Sequence, residues 1–216
     1  MTIFKFSALK MLLNKISFVI SFVLLSQLQA CAPLLIGGAA LAGKVAIDRR
    51  TAGIQIEDEA IQLRTESGLR AQLPHNAHVR VSSYNRMVLL TGEVSSESDR
   101  VLAEQFVKSQ DNVKTVVNDL AIAPESSLTQ RAQDTLMTGQ VRALLIQAKD
   151  IHSSAIHIVT ERGIVYLMGR VTNAESVRVT ELIGSGNVSG IQKIVKVFET
   201  ITEEDLKRLV APAFRK

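Results

Sequence analysis

The chain has 216 residues, with 25 Lys and Arg against 21 Asp and Glu, a single cysteine, no tryptophan and 4% aromatic residues. One cysteine excludes an intramolecular disulfide and a thiolate metal cluster, and so few aromatics argue against a carbohydrate platform or a base-stacking surface. The formal charge of +4 includes Lys5, Lys10 and Lys15 with no acid before residue 31, so the net beyond that point is +1 and gives no reason to expect nucleic acid.

The first element in chain order is an apolar run at residues 16–25, preceded by those three lysines and followed by small or polar residues. A membrane span needs roughly 20 apolar residues, so this run is short for one. Its layout is that of a secretory signal peptide over residues 1–30. The end of that segment, Leu28-Gln29-Ala30-Cys31, resembles the lipobox of bacterial lipoproteins, in which cleavage falls just before the cysteine. The resemblance implies a covalent lipid at Cys31, and Ala32 rather than an aspartate after it favours the outer membrane. Two or more acyl chains hold a protein stably at a bilayer, where one alone is marginal. The glycine-rich stretch 37–43 reads as part of a flexible lipidated stalk over residues 31–54.

The remainder says one thing twice. "AHVRVSSYNRMVLLTGEVSSESDR", from Ala77, aligns without a gap on "SAIHIVTERGIVYLMGRVTNAESV", from Ser154, at an offset of 77. Val88, Leu90, Gly92 and Val94 meet Val165, Leu167, Gly169 and Val171 as identities. Ile61, Thr65, Leu69 and Leu73 recur at helical spacing ahead of the first copy, as do Met137, Val141, Leu144, Leu145 and Ala148 ahead of the second. Two β-branched runs then follow in each copy, joined by a turn in which Asn85 or Gly163 tolerates positive φ. Thr172 with Glu175, and more weakly Ser96 with Asp99, cap the next helix. A last strand is expected at 113–122 and at 191–199. The order α-β-β-α-β, twice, predicts an α+β protein of two tandem domains, each a three-stranded sheet with two helices on one face. Residues 55–124 and 133–201 hold the domains, 125–132 the linker, and 202–216 a short C-terminal helix and tail capped by Thr202 and Asp205. At about 70 residues each, such domains are near the size where one core is marginal, so they are expected to pack on each other or on the linkers.

No catalytic constellation emerges: there is no nucleophile elbow, phosphate loop or His-Glu-x-x-His, and no cofactor is expected. His75 and His78 have a His-x-x-His spacing but no neighbouring acids in sequence, and read as solvated loop histidines rather than metal ligands, with His152 and His157 in the other copy. The helix at 134–149 is more informative. With Val141 at zero and 100° per residue, Met137, Leu144, Leu145 and Ala148 fall within about 60° of it, a core-facing stripe. Leu136 and Ile146 fall near 140° on either side, with Gly139 and Ala143 between them and Arg142 and Lys149 on one flank. The matching face of the first helix carries Gln62, Glu66 and Arg70. Residues 130–199 hold eight basic and six acidic residues, a net of +2, whereas 58–122 are at −2. An apolar strip beside basic residues suits an anionic membrane surface; it equally suits burial against the first domain or the tail.

The repeated unit, with its hydrophobic strand at 88–94 and 165–171, resembles the BON domain (bacterial OsmY and nodulation). Two such units behind a lipobox are similar to the dual-BON outer-membrane lipoproteins, and "DRRTAGIQIED", from Asp48, resembles their pre-domain segment. The resemblance implies a non-enzymatic, periplasm-facing protein that supports envelope integrity. Its second domain would bind anionic phospholipid through Leu136, Met137, Gly139, Arg142, Ala143, Ile146 and Lys149, with Gly92 and Gly169 as structural glycines. The alternative is a scaffold that docks on an outer-membrane protein.

Overall fold

The structure, a computed structural model, describes residues 48–186 and 188–210. The signal peptide, Cys31, most of the 31–54 stalk and residues 211–216 lie outside the described residues. Helix α1 (Ala52–Gln72) starts at the Thr51 cap, whose side chain accepts a hydrogen bond from the Ile54 amide, and buries Asp58, Ile61, Thr65 and Leu69 along one face. Strands β1 (His78–Tyr84) and β2 (Met87–Val94) pair antiparallel. Asn85 and Arg86 make the tight turn between them with φ of 51° and 68°, the left-handed pair that matches the twist of a two-residue hairpin. Helix α2 (Glu97–Lys108), capped by Ser96, leads to β3 (Thr115–Asn118) and β4 (Ala121–Ile122), both parallel to β2.

The second copy repeats this with α3 (Leu128–Gln147), β5 (Ile156–Glu161), β6 (Ile164–Val171), α4 (Asn173–Ser185) and β7 (Lys193–Thr200). Helix α5 (Glu203–Val210) closes the described chain; the Thr202 hydroxyl accepts from the Asp205 amide at 3.1 Å. The single third strand expected at 113–122 is broken in the first domain. The Asn118 side chain accepts the Leu120 amide at 3.3 Å, and Leu120 turns into the core, so the ladder resumes only at Ala121. In the second domain β7 runs uninterrupted beside β6.

Strand residues alternate between two faces, and both faces are used. Val81, Val88, Leu90 and Val94 pack under α1 and α2 with Ile61, Leu69, Ala103 and Val107. Ile158, Val165, Leu167 and Val171 pack under α3 and α4 with Met137, Val141, Leu145 and Ile183. The opposite faces meet each other: Tyr84 and Leu89 pack with Val159, Tyr166, Met168 and Val197. The layers are therefore helix, sheet, sheet, helix. Each large apolar side chain in the shared layer contributes about 1.5–3 kcal/mol on burial, which two small sheets exposed to water would forgo. Polar contacts cross the same seam: the Tyr166 hydroxyl donates to Asp119 at 2.8 Å and the Tyr84 hydroxyl to the Ala155 carbonyl at 3.4 Å.

Buried carboxylates fix helix to hairpin in both copies. Asp58 accepts the Asn85 and Arg86 amides, each at 2.7 Å; Asp134 accepts those of Arg162 and Gly163 at 2.9 and 2.8 Å. These charge-assisted bonds satisfy the backbone donors of both turns from inside the fold. Residues 48–51 are also held, although the stalk was expected to stay flexible through residue 54. Arg49 is buried, donates to the Arg170 carbonyl at 2.6 Å and pairs with Glu175 through both ends of its guanidinium. Arg50 bonds Asp48 and Asp58 and lies 4.2 Å over the Tyr84 ring. A segment ahead of the first domain is thus bolted to the second.

Two glycines separate backbone need from mere presence. A Cβ at Gly92, which has φ of +109°, would stand 2.0 Å from the His78 carbonyl oxygen, whereas one at Gly139 meets nothing within 4 Å. Gly92→Ala is expected to cost about 3 kcal/mol, and Gly139→Ala, in an exposed helix interior, to gain about 0.5–1 kcal/mol, both read by urea unfolding. Burial pushes the Glu175 carboxyl up, but hydrogen bonds from Arg49 and the Thr172 amide outweigh it and hold the carboxyl below its ordinary 4.5. A lowered carboxylate stabilises the fold above its unfolded pKa and loses that contribution as pH falls through the folded value. The stability gap between the wild type and Arg49→Met should stay level from neutral pH down to about 5 and narrow below 4.5; a constant gap down to pH 3 would show that the ion pair is not its source.

Candidate functional site

Helix α3 starts six residues earlier than expected, because Ser127 and Gln130 form a reciprocal capping box. Residues Asp134, Met137, Val141 and Leu145 face the core. On the opposite face Leu136 is 69% and Ile146 64% exposed, with Gly139, Ala143 and Arg142 exposed between and beside them. Neither large side chain is covered by the first domain or by α5. Leu128, which had been assigned to a linker, lies on this same side at the start of the helix and is also exposed. The uncovered apolar strip from Leu128 to Ile146 is roughly 27 Å long at the helical rise. The Ser127-x-x-Gln130 pattern was the signal that would have included Leu128. Lys149 is exposed just past the Ala148 cap.

Met137 departs from its expected role. It is 7% exposed and belongs to the core under α3, and its methyl would lie 2.9 Å from a Cβ at Gly190. At 100° per residue it points away from Leu136, so it cannot join a lipid-facing pair without leaving the core. The first-domain helix also differs from expectation, since Ile56 and Leu63 are exposed on α1. Glu59, Gln62 and Glu66 lie beside them, so acidic and neutral side chains stand with Arg70 around that pair.

The histidines separate as well. His75 and His152 are exposed. His78 is no loop residue: it opens β1 opposite Glu93, and its Nδ1 lies 3.1 Å from a Glu93 carboxylate oxygen and 3.9 Å from one of Glu161. The acids missing beside it in sequence are brought there by strand pairing and by the packing of the two sheets. His157 faces inward, and burial, with help from the positive charges of Arg50, Arg142 and Arg80, lowers its pKa.

Two α-β-β-α-β domains stacked sheet to sheet define a tandem α+β protein. The sequence model of the BON domain matches residues 57–124 and 133–202, and the chain belongs to that family. It is similar to the outer membrane lipoprotein DolP of Haemophilus influenzae, at 33% identity over 174 residues, 80% of this chain and 89% of that one. It is also similar to a 21 kDa hemolysin of Actinobacillus pleuropneumoniae, at 27% identity over 157 residues, covering 72% and 80% of the two chains. Among the described residues no helix is long and apolar enough to cross a membrane.

Neighbouring residues on α3 should answer differently to the same change. Leu136→Ser should shift stability by no more than about 0.5 kcal/mol, whereas Met137→Ser should cost about 3 kcal/mol through the cavity it leaves. Denaturant titration of both variants would test which side of the helix faces solvent.

Proposed function

We propose that the protein is an outer-membrane lipoprotein, anchored on the periplasmic side through lipid on Cys31, whose second BON domain binds anionic phospholipid through α3. Its task is binding rather than catalysis, in support of envelope integrity. The observation that carries this reading is the uncovered strip of Leu136, Gly139, Ala143 and Ile146, now extended by Leu128. Small residues between large ones let the helix lie flat in the headgroup layer, where apolar area and basic charge add. Arg142 and Lys149 supply charge near it, within a domain whose net charge is +2. Met137 remains in the core and supports the strip from behind. The DolP relative is named as an outer membrane lipoprotein, which supports the location. A tethered domain meets its own membrane at high effective concentration, so a weak contact suffices.

The test uses residues 44–216, since Lys44–Lys216 form one compact unit, co-sedimented with phosphatidylglycerol or phosphatidylcholine vesicles. The wild type should pellet selectively with the anionic vesicles. Leu136→Asp/Ile146→Asp should lose at least tenfold in apparent affinity while keeping its circular dichroism. Failure to pellet with either lipid would sink the reading and make the strip a search site for an outer-membrane protein partner.

A further inference from the structure

The seam between the two sheets is apolar at its centre but carries a polar cluster at one end. His78 and Glu93 come from the first domain and Glu161 from the second, and their ligand atoms all lie within 4.8 Å of one another. Glu93 is fully buried and Glu161 is 3% exposed. Two carboxylates this close and this dry repel strongly unless a proton or a cation stands between them. The arginines at hand serve only the edges. Arg162 reaches one Glu93 oxygen at 3.3 Å, leaving the other to His78 at 3.1 Å and the Ser126 amide at 3.3 Å. Among the described residues the basic groups paired with Glu161 are His78 and Arg80, both at 3.9 Å, beyond hydrogen-bond range. Thr91, two residues before Glu93 on β2, adds a buried hydroxyl with no partner.

We propose that His78, Glu93 and Glu161 form a binding site for a divalent transition-metal ion, of which zinc is the fitting probe, bridging the two BON domains. One imidazole nitrogen and two carboxylate oxygens are a donor set that zinc accepts. In a tetrahedral zinc site with bonds near 2.1 Å, donor atoms stand about 3.3–3.5 Å apart. The observed 3.1 and 3.9 Å from His78 Nδ1 bracket that spacing, and the third side of the triangle lies within 4.8 Å, so the Glu161 side chain moves inward to complete it. Arg162 and the Ser126 amide orient Glu93 from behind, as partners of metal-ligating carboxylates do. A cleft of about 560 Å³, lined by His75, His78, Arg80, Arg131, Thr160 and Glu161, opens the site to solvent and leaves water for the fourth position. Since the ligands come from both domains, the ion would brace one against the other.

The test takes the full chain, purified in detergent, stripped with chelator and titrated with zinc chloride by isothermal calorimetry, with a thermal melt before and after. One zinc ion per chain and a raised melting temperature are expected. Glu161→Gln, which removes a ligand that makes no close hydrogen bond, should weaken binding at least tenfold. His78→Gln on the other domain should do the same, and His152→Gln, at an exposed histidine, should change nothing. Absence of saturable one-to-one binding, or equal affinity in wild type and Glu161→Gln, overturns the site. Should Glu161→Gln lose its circular dichroism, His78→Gln alone decides between the two outcomes.

Discussion

The packing of one sheet on the other is the constraint on which the rest depends. A three-stranded sheet with helices on one side leaves its second side bare. Domains near 70 residues have little stability to spare for such exposure. Here the two bare sides cover each other through Leu89, Tyr166, Met168 and Val197. All four helices of the repeats are thereby forced to the outside, and each must then be amphipathic in its own right. The surface of α3 is available because the seam lies on the far side of its sheet.

Most polar groups in and around that seam are given a defined partner. Asp58 and Asp134 hold the tight turns from inside, and they do so at matching places in the two copies. The short segment before α1 reaches across instead of holding within one domain. Arg49 reaches Glu175 at the start of α4, while Arg50 stays with Asp58 and Tyr84. The segment entering α1 thus meets both domains before that helix begins. Among the described residues Glu161 has no partner closer than 3.9 Å and the Thr91 hydroxyl beside this cluster has none, which makes the end of the seam at His78, Glu93 and Glu161 the place to look for a bound ion.

Repetition makes the differences between the copies readable. Asp58, Ile61, Thr65 and Leu69 on α1 correspond in burial to Asp134, Met137, Val141 and Leu145 on α3. The inward faces are thus alike. The outward faces are not: Ser67 and Arg70 stand on α1 where Ala143 and Ile146 stand on α3. Packing demands on the inside have kept one pattern, so the change on the outside has a cause other than folding. The membrane contact proposed above would supply one.

The amino-acid sequence by itself determined the repeat, the element order, the tight turns, the helix caps and the odd outer face of α3. Each of these is written in residues a few positions apart, through helical or strand periodicity and the backbone needs of Asn85 and Gly163. Even there, Met137 was legible as a core residue by its angle on the helix, and its place beside Leu136 in a lipid-binding set came only from family resemblance. Tertiary structure decided what depends on residues distant in the chain. His78 meets Glu161 across 83 positions only because two sheets share a seam. Arg49 becomes a clamp only because Glu175, 126 residues on, presents a carboxylate to it. The break before β4 needed the pocket that receives Leu120. Short-range pattern reports which face of an element is apolar; what that face, and the polar residues scattered on it, will touch is settled by the packing of whole layers.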